Sequence, residues 1–319
     1  MVRSSVALIL LAAATLAAAQ RLDDHDYGLT VNVQLVQLPV SVLDKKGFPV
    51  RGLQREHFMV YEDKVLQEIS FVKQEDVPLS VALVVDTSGS MFHKLDGLYT
   101  AAMTFVRENN PEDETALVSF ADSVNLDEDF TASREKLSRA LQGITPHGYT
   151  SLYDGVFLAA KHLTQAGFRE KKVLLIISDG EDNHSRYKLA EVLEAIRESK
   201  ITVYSIGLLS PDIGTMYNGF GASGRKALKQ LAETTGGIAF FPESTREAEK
   251  VCERIARALR NQYTIGYKPS NQRMDGSWRK TIVHVSLHKT SPKVRVRTKQ
   301  GYYAPAAREA PGESRPRLQ

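Results

Sequence analysis

With 319 residues, 42% of them hydrophobic and 25% charged, the chain has ordinary globular composition and enough length for one large domain and a smaller one. A formal net charge of +3 is small for that length and gives no case for nucleic acid or an anionic membrane surface as partner. A single cysteine, Cys252, excludes an intramolecular disulfide; its place among Val251, Ile255, Ala258 and Leu259 at helical spacing predicts a buried, inert thiol.

Residues 1–19 read as a secretory signal peptide: Arg3 supplies the positive start, residues 6–16 the apolar stretch, and Ala17-Ala18-Ala19 the small-residue cleavage site. The apolar stretch is short for a membrane span. Cleavage before Gln20 predicts an exported chain, periplasmic or secreted, with no transmembrane segment remaining.

Residues 28–75 alternate with period two, at Val31, Val33, Leu35, then Val40, Val42, and later Phe58, Val60, Ile69 and Phe71, which predicts short β-strands. Turn residues separate them at Asp44-Lys45-Lys46-Gly47 and Glu62-Asp63-Lys64. From 79 to 260 the pattern becomes apolar strand, amphipathic helix, apolar strand. Strands are expected near 81–86, 116–120, 173–177, 201–206 and 238–241, with a polar edge strand at 124–130. Helices are expected from Met91 to Asn109, around Leu137 and Leu141, from Leu152 to Leu163, and over 188–198, 225–235 and 245–260. Strands alternating with helices predict an α/β fold with a doubly wound, mostly parallel sheet.

Residues 261–303 return to period two, and Asp275-Gly276 signals a hairpin. Each β-rich flank is too short to bury a sheet well on its own. The two are therefore expected to combine into one small β-sandwich, with residues 79–260 inserted between them. Residues 304–319, rich in Ala, Pro, Arg and Glu, are expected to form a disordered tail.

The chemistry lies at strand ends. Val81-Ala82-Leu83-Val84-Val85 is a continuous apolar run, as expected of a strand covered on both faces, and it runs into Asp86-Thr87-Ser88-Gly89-Ser90. One carboxylate and two hydroxyls on alternate residues of a tight turn can aim three oxygens at one point, in outline a site for a hard cation. Taken alone, the same turn serves equally as an N-cap for the following helix. Two further loops leave the sheet on the same side, carrying Thr150 and Asp179. Asp86, Ser88, Ser90, Thr150 and Asp179 can then surround one point, leaving one octahedral position open.

In these five positions and their order the sequence resembles the von Willebrand factor type A domain, whose metal-ion-dependent adhesion site is written Asp-x-Ser-x-Ser, then Thr, then Asp. The resemblance covers residues 79–260. The flanks, with Val-x-Asp-x-x-Gly at Val42 to Gly47 and the closing Arg297-Thr298-Lys299-Gln300-Gly301-Tyr302-Tyr303, look like those of a bacterial exported subfamily. The resemblance implies that Ser88, Ser90 and Thr150 contact Mg²⁺ directly while Asp86 and Asp179 act largely through water. Mn²⁺ would fit as well, and Ca²⁺ less well with so few anionic ligands. Neutral hydroxyls leave the ion electrophilic, so the implied function is adhesion-type binding: the ion recruits a carboxylate from a partner protein or surface polymer.

An enzyme reading, a Mg²⁺-dependent hydrolase or phosphatase using Asp86, meets Thr87 and Ser88 where a second carboxylate would be needed, and no Gly-x-Ser-x-Gly elbow surrounds the serines. A third reading is a structural assembly protein with a stabilising metal. Around the site, Tyr149 replaces a common Gly before the Thr. A glycine-rich loop over 211–221 carries Asp212, Tyr217 and Phe220, suited to reading a partner. His93, His147 and His184 each fall within a few residues of a metal loop, where exposed loop histidines are expected.

Overall fold

The computed structural model describes residues 35–74, 76–208, 220–287 and 293–306. The signal-like segment 1–19, Val31 and Val33, Asp212, Tyr217 and residues 307–319 lie outside the described residues. Four strands come first, β1 (Val36–Leu43), β2 (Phe58–Glu62), β3 (Val65–Gln67) and β4 (Ile69–Gln74). Asp63 and Lys64, with φ of 47° and 71°, make the tight turn between β2 and β3.

The central part runs β5 (Leu79–Asp86), a 3-10 turn (Gly89–Lys94), α1 (Leu95–Glu108), β6 (Glu114–Phe120), β7 (Val124–Thr131), α2 (Arg134–Gln142) and α3 (Leu152–Ala166). It continues through β8 (Lys171–Ser178), α4 (Leu189–Glu198), β9 (Ile201–Gly207), α5 (Phe220–Thr234), β10 (Ala239–Phe240) and α6 (Thr245–Arg260). Its sheet has the order β10-β9-β8-β5-β6-β7, parallel except for the edge strand β7.

Period-two geometry explains why β5 carries no polar face. Val81, Leu83 and Val85 point into one core with α1, α2 and α6, while Ala82 and Val84 point into a second core with α3, α4 and α5. Each face of the sheet is roofed by three helices, so its strands read as unbroken apolar runs. Cys252 is buried in the first of these cores, as its helical spacing predicted, and burial pushes its thiol up to about 12.

The chain then adds β11 (Tyr263–Tyr267), β12 (Trp278–Val285), β13 (Arg295–Thr298) and β14 (Gly301–Tyr303). These interleave with the first four strands in two sheets, β13-β1-β11-β4 and β14-β12-β2-β3. Val40, Val42, Phe58, Val60, Ile265 and Val283 fill the core between them. The expected α/β fold with a flanking sandwich built from both ends of the chain is thus the observed one.

Four local expectations change. Asp275-Gly276 is a turn but closes no hairpin, because β11 and β12 belong to different sheets; Gly276 instead donates its N–H to the Pro305 carbonyl. Ala304 and Ala306 are tied down, the first by its N–H to the Ser277 carbonyl and the second by a bridge to Asp275, so the tail begins later than residue 304. Glu62 ends a strand rather than sitting in the turn, and it is buried under the hydroxyls of Tyr267 (2.7 Å) and Tyr302 (2.8 Å). Phe220 opens α5 instead of belonging to the preceding loop.

Candidate metal centre

The site forms where the sheet changes direction. β5 and β8 are parallel neighbours, but the chain leaves β5 through α1 on one face and leaves β8 through α4 on the other. A crevice opens between their carboxyl ends, the usual ligand position in such sheets. Asp86 ends β5 and Ser178 ends β8 at that point.

Asp86 is 0% exposed. Its Oδ1 accepts the Ser88 N–H at 2.9 Å and the Ser88 hydroxyl at 2.6 Å, and its Oδ2 accepts the Ser178 hydroxyl at 2.6 Å. Ser88 Oγ lies 3.1 Å from Ser90 Oγ, and Ser90 donates to Asp179 Oδ2 at 2.7 Å. Lys94 Nζ donates to that same Asp179 oxygen at 2.9 Å. A continuous row of oxygens therefore joins two carboxylates from different strands. Burial, then the charge of Asp179, push the Asp86 carboxyl up to about 6 against the lowering effect of the Ser178 and Ser88 hydrogen bonds.

Backbone bonds lace the three loops together. Gly89 donates its N–H to the Gly148 carbonyl (3.1 Å), and His147 donates to Thr87 (2.9 Å). Thr150 is buried; its N–H reaches Asn183 Oδ1 (2.9 Å), and its carbonyl accepts the N–H groups of Asn183 and His184 (both 3.0 Å). Two glycines permit this approach. Gly148 has φ +65°, and a Cβ there would collide with the Asp122 carboxylate, which accepts the Tyr149 N–H at 2.8 Å. Gly180 has φ +85°, and its Cβ position lies 2.6 Å from the Gly224 carbonyl oxygen, so the early part of α5 presses directly on the Asp179 loop.

All five residues singled out from the sequence thus lie in one loop cluster, four joined through side chains and Thr150 through its backbone. The donor set fits a small hard cation. Octahedral oxygens at roughly 2.0–2.1 Å from Mg²⁺ sit about 3 Å apart on each edge, and the Ser88 and Ser90 hydroxyls are 3.1 Å apart. Among the described residues no group of three or more His, Cys, Asp or Glu side chains is arranged to hold a metal.

Sequence reasoning missed several participants. Ser178 and Asn183 were visible only as members of a loop, and their roles follow from the parallel register of β5 with β8 and from the Thr150 loop folding onto residue 183. Lys94 had no motif to mark it. Phe92, 64% exposed, and Tyr149, 62% exposed, stand on the rim. Tyr149 stacks on His184 with ring centres 5.3 Å apart, and Phe92 meets His93 edge-on at 5.2 Å. His93, His147 and His184 are all exposed.

Residues 81–181 match the family model described as the von Willebrand factor type A domain. No curated protein matches the chain. Among solved structures, a von Willebrand factor type A protein from Catenulispora acidiphila is 11% identical with a TM-score of 0.50, covering 86% of this chain and 74% of that one. The conserved hypothetical protein BatB from Bacteroides thetaiotaomicron is 18% identical, TM-score 0.47, with 57% of this chain and all of that one covered. The von Willebrand factor domain of the type V pili tip protein Mfa5 from Porphyromonas gingivalis is 15% identical, TM-score 0.48, covering 58% and 95%. At 11% identity the Catenulispora acidiphila structure speaks for the fold alone. Sheet order and family match agree that residues 81–181 lie in a region with the von Willebrand factor type A fold.

Proposed function

We propose that this chain is an exported, non-enzymatic binding protein that holds Mg²⁺ between Asp86, Ser88, Ser90, Thr150 and Asp179 and uses it to bind a carboxylate of a partner protein or surface polymer. The observation that carries this reading is the row of converging oxygens at the carboxyl edge of β5 and β8, with the two serine hydroxyls at the spacing of an octahedral edge. The ion supplies a Lewis-acidic centre with a position free for an outside oxygen. The protein supplies the rest: Asp86, fixed by Ser178 and its own Ser88 N–H, orients the Ser88 hydroxyl, and Asp179 orients that of Ser90. Only two carboxylates face a divalent ion, which keeps its attraction for a third. Export is supported by the composition of residues 1–19. Among the described residues no helix is long and apolar enough to cross a membrane. The exposed rings of Phe92 and Tyr149 beside the site would pack against whatever flanks the recruited carboxylate.

The test is calorimetric titration of the mature chain with Mg²⁺ and Mn²⁺, alongside Thr150→Ala, followed by addition of an acidic peptide. Metal binding to the parent but not to Thr150→Ala, with peptide bound only in the presence of metal, supports the reading. Absence of binding by either metal at millimolar concentration, with peptide present, overturns it.

A further inference from the structure

Lys94 stands at the junction where the 3-10 turn Gly89–Lys94 runs directly into α1. It is the N-cap residue of α1 and makes no capping hydrogen bond from its side chain. The side chain instead turns away from the helix and places Nζ 2.9 Å from Asp179 Oδ2, sharing that oxygen with the Ser90 hydroxyl. The pair is largely out of water: the Lys94 side chain is 13% exposed and that of Asp179 is 8% exposed. Such a pair is screened far less than one at the surface.

We propose that Lys94 is the fixed countercharge of this site, weakening its hold on a divalent cation while strengthening that cation's pull on the partner's carboxylate. The inference rests on the metal-binding reading above and deepens it. The two buried carboxylates, Asp86 and Asp179, carry a charge of −2, which the ammonium reduces to −1; the half-buried Glu181 interacts with both Asp179 and Lys94 and adds the same negative charge whatever stands at position 94. Counting the buried groups alone, a divalent ion would bring the centre to +1 with Lys94 present and to zero without it. A centre at +1 attracts an incoming carboxylate, and a neutral one does so only through the open coordination position. One side chain therefore moves the two affinities in opposite directions, which loss of structure does not do.

The experiment compares the parent with Lys94→Met, Lys94→Gln and Lys94→Arg. Mn²⁺ affinity is measured by calorimetry at fixed ionic strength, and a blocked glycyl-glutamyl-glycine peptide is then titrated at saturating Mn²⁺. Lys94→Met and Lys94→Gln are expected to bind Mn²⁺ more tightly, by a factor on the order of ten, and the peptide more weakly by a similar factor. Lys94→Arg keeps both values near the parent's. Lys94→Gln retains a hydrogen-bond donor for Asp179, so it carries the test if Lys94→Met is poorly folded. If both neutral variants lose affinity for metal and peptide together, or match the parent in both, the countercharge role is overturned while the metal site stands. A parent chain that binds no Mn²⁺ overturns the metal reading itself and this inference with it.

Discussion

Ser178 and Asp86 face each other across the parallel pair β8 and β5, and the serine hydroxyl donates to the buried carboxylate at 2.6 Å. Ser178 is itself buried and holds the Gly180 N–H at 2.8 Å. Ser178→Ala leaves Asp86 Oδ2 without that donor in a place water does not reach. It is expected to lower stability by about 1–3 kcal/mol at neutral pH, measured by urea unfolding. A value within about 0.3 kcal/mol of the parent would show that another donor replaces the hydroxyl.

Gly180 needs its positive φ and has the Gly224 backbone against it. Gly180→Ala combines a strained backbone with a backbone collision, and a stability loss of about 2 kcal/mol or more is expected. Because Asp179 is the preceding residue, Mn²⁺ affinity falls as well. Thermal melting and a metal titration on the same sample check both halves.

Lys171 links pH to stability away from the site. Burial, together with the Arg260 guanidinium, lowers its ammonium from 10.5 to about 8, while Asp76 and Asp113 oppose the shift; Nζ donates to the Leu259 carbonyl at 3.2 Å. Between about 8 and 10.5 the unfolded chain binds more protons at this lysine than the folded one. The penalty for burying the charge is thus fully present below pH 8 and fades as pH rises to 10.5. Lys171→Met is expected to stabilise the protein at pH 7 by something on the order of 2 kcal/mol and to flatten the stability profile across that window. Chemical denaturation at half-unit pH steps reads the slope.

Phe92 and Tyr149 stand in solvent on the loops that carry Ser90 and Thr150. Their replacement by alanine is expected to change stability by no more than about 0.5 kcal/mol and to leave Mn²⁺ binding intact, while weakening capture of an acidic peptide that carries apolar neighbours. Equal peptide affinities for parent and double variant would remove the rings from the recognition surface.

Cys252 provides a reporter of opening. With its thiol buried against α1 and pushed up to about 12, it should resist a thiol reagent at pH 8 in the native protein and react rapidly in urea. Native-state labelling at the unfolded rate would mean that α6 detaches from the sheet locally.

Much of this fold was legible because the apolar runs 81–85 and 173–177 require cover on both sides, and the helices between them carry matching faces. The candidate-site residues were legible for a related reason: carboxylates and hydroxyls immediately follow runs that must end at one edge of the sheet. What escaped depended on pairings distant in sequence. Asp275-Gly276 looks like a hairpin turn to any local reading, yet β12 pairs with β2 and β14, more than 200 residues apart in the first case. Glu62 follows a strand and precedes a turn, and only the arrival of Tyr267 and Tyr302 makes it a buried acceptor. Lys94 is chemically unremarkable until Asp179, 85 residues later, is folded beside it.

The chain leaves the sandwich at Gln74 and returns at Tyr263, and these two residues are cross-strand partners in the antiparallel pair β4 and β11, with Lys73 opposite Thr264 next to them. The ends of the α/β region are therefore stitched side by side. Tension applied between Val36 and Tyr303 loads the hydrogen bonds of the sandwich, and while that pair holds the covalent path through residues 79–260 is bypassed. Pulling the two strands apart therefore has to open the β4–β11 pair before the covalent chain through Asp86 comes under load.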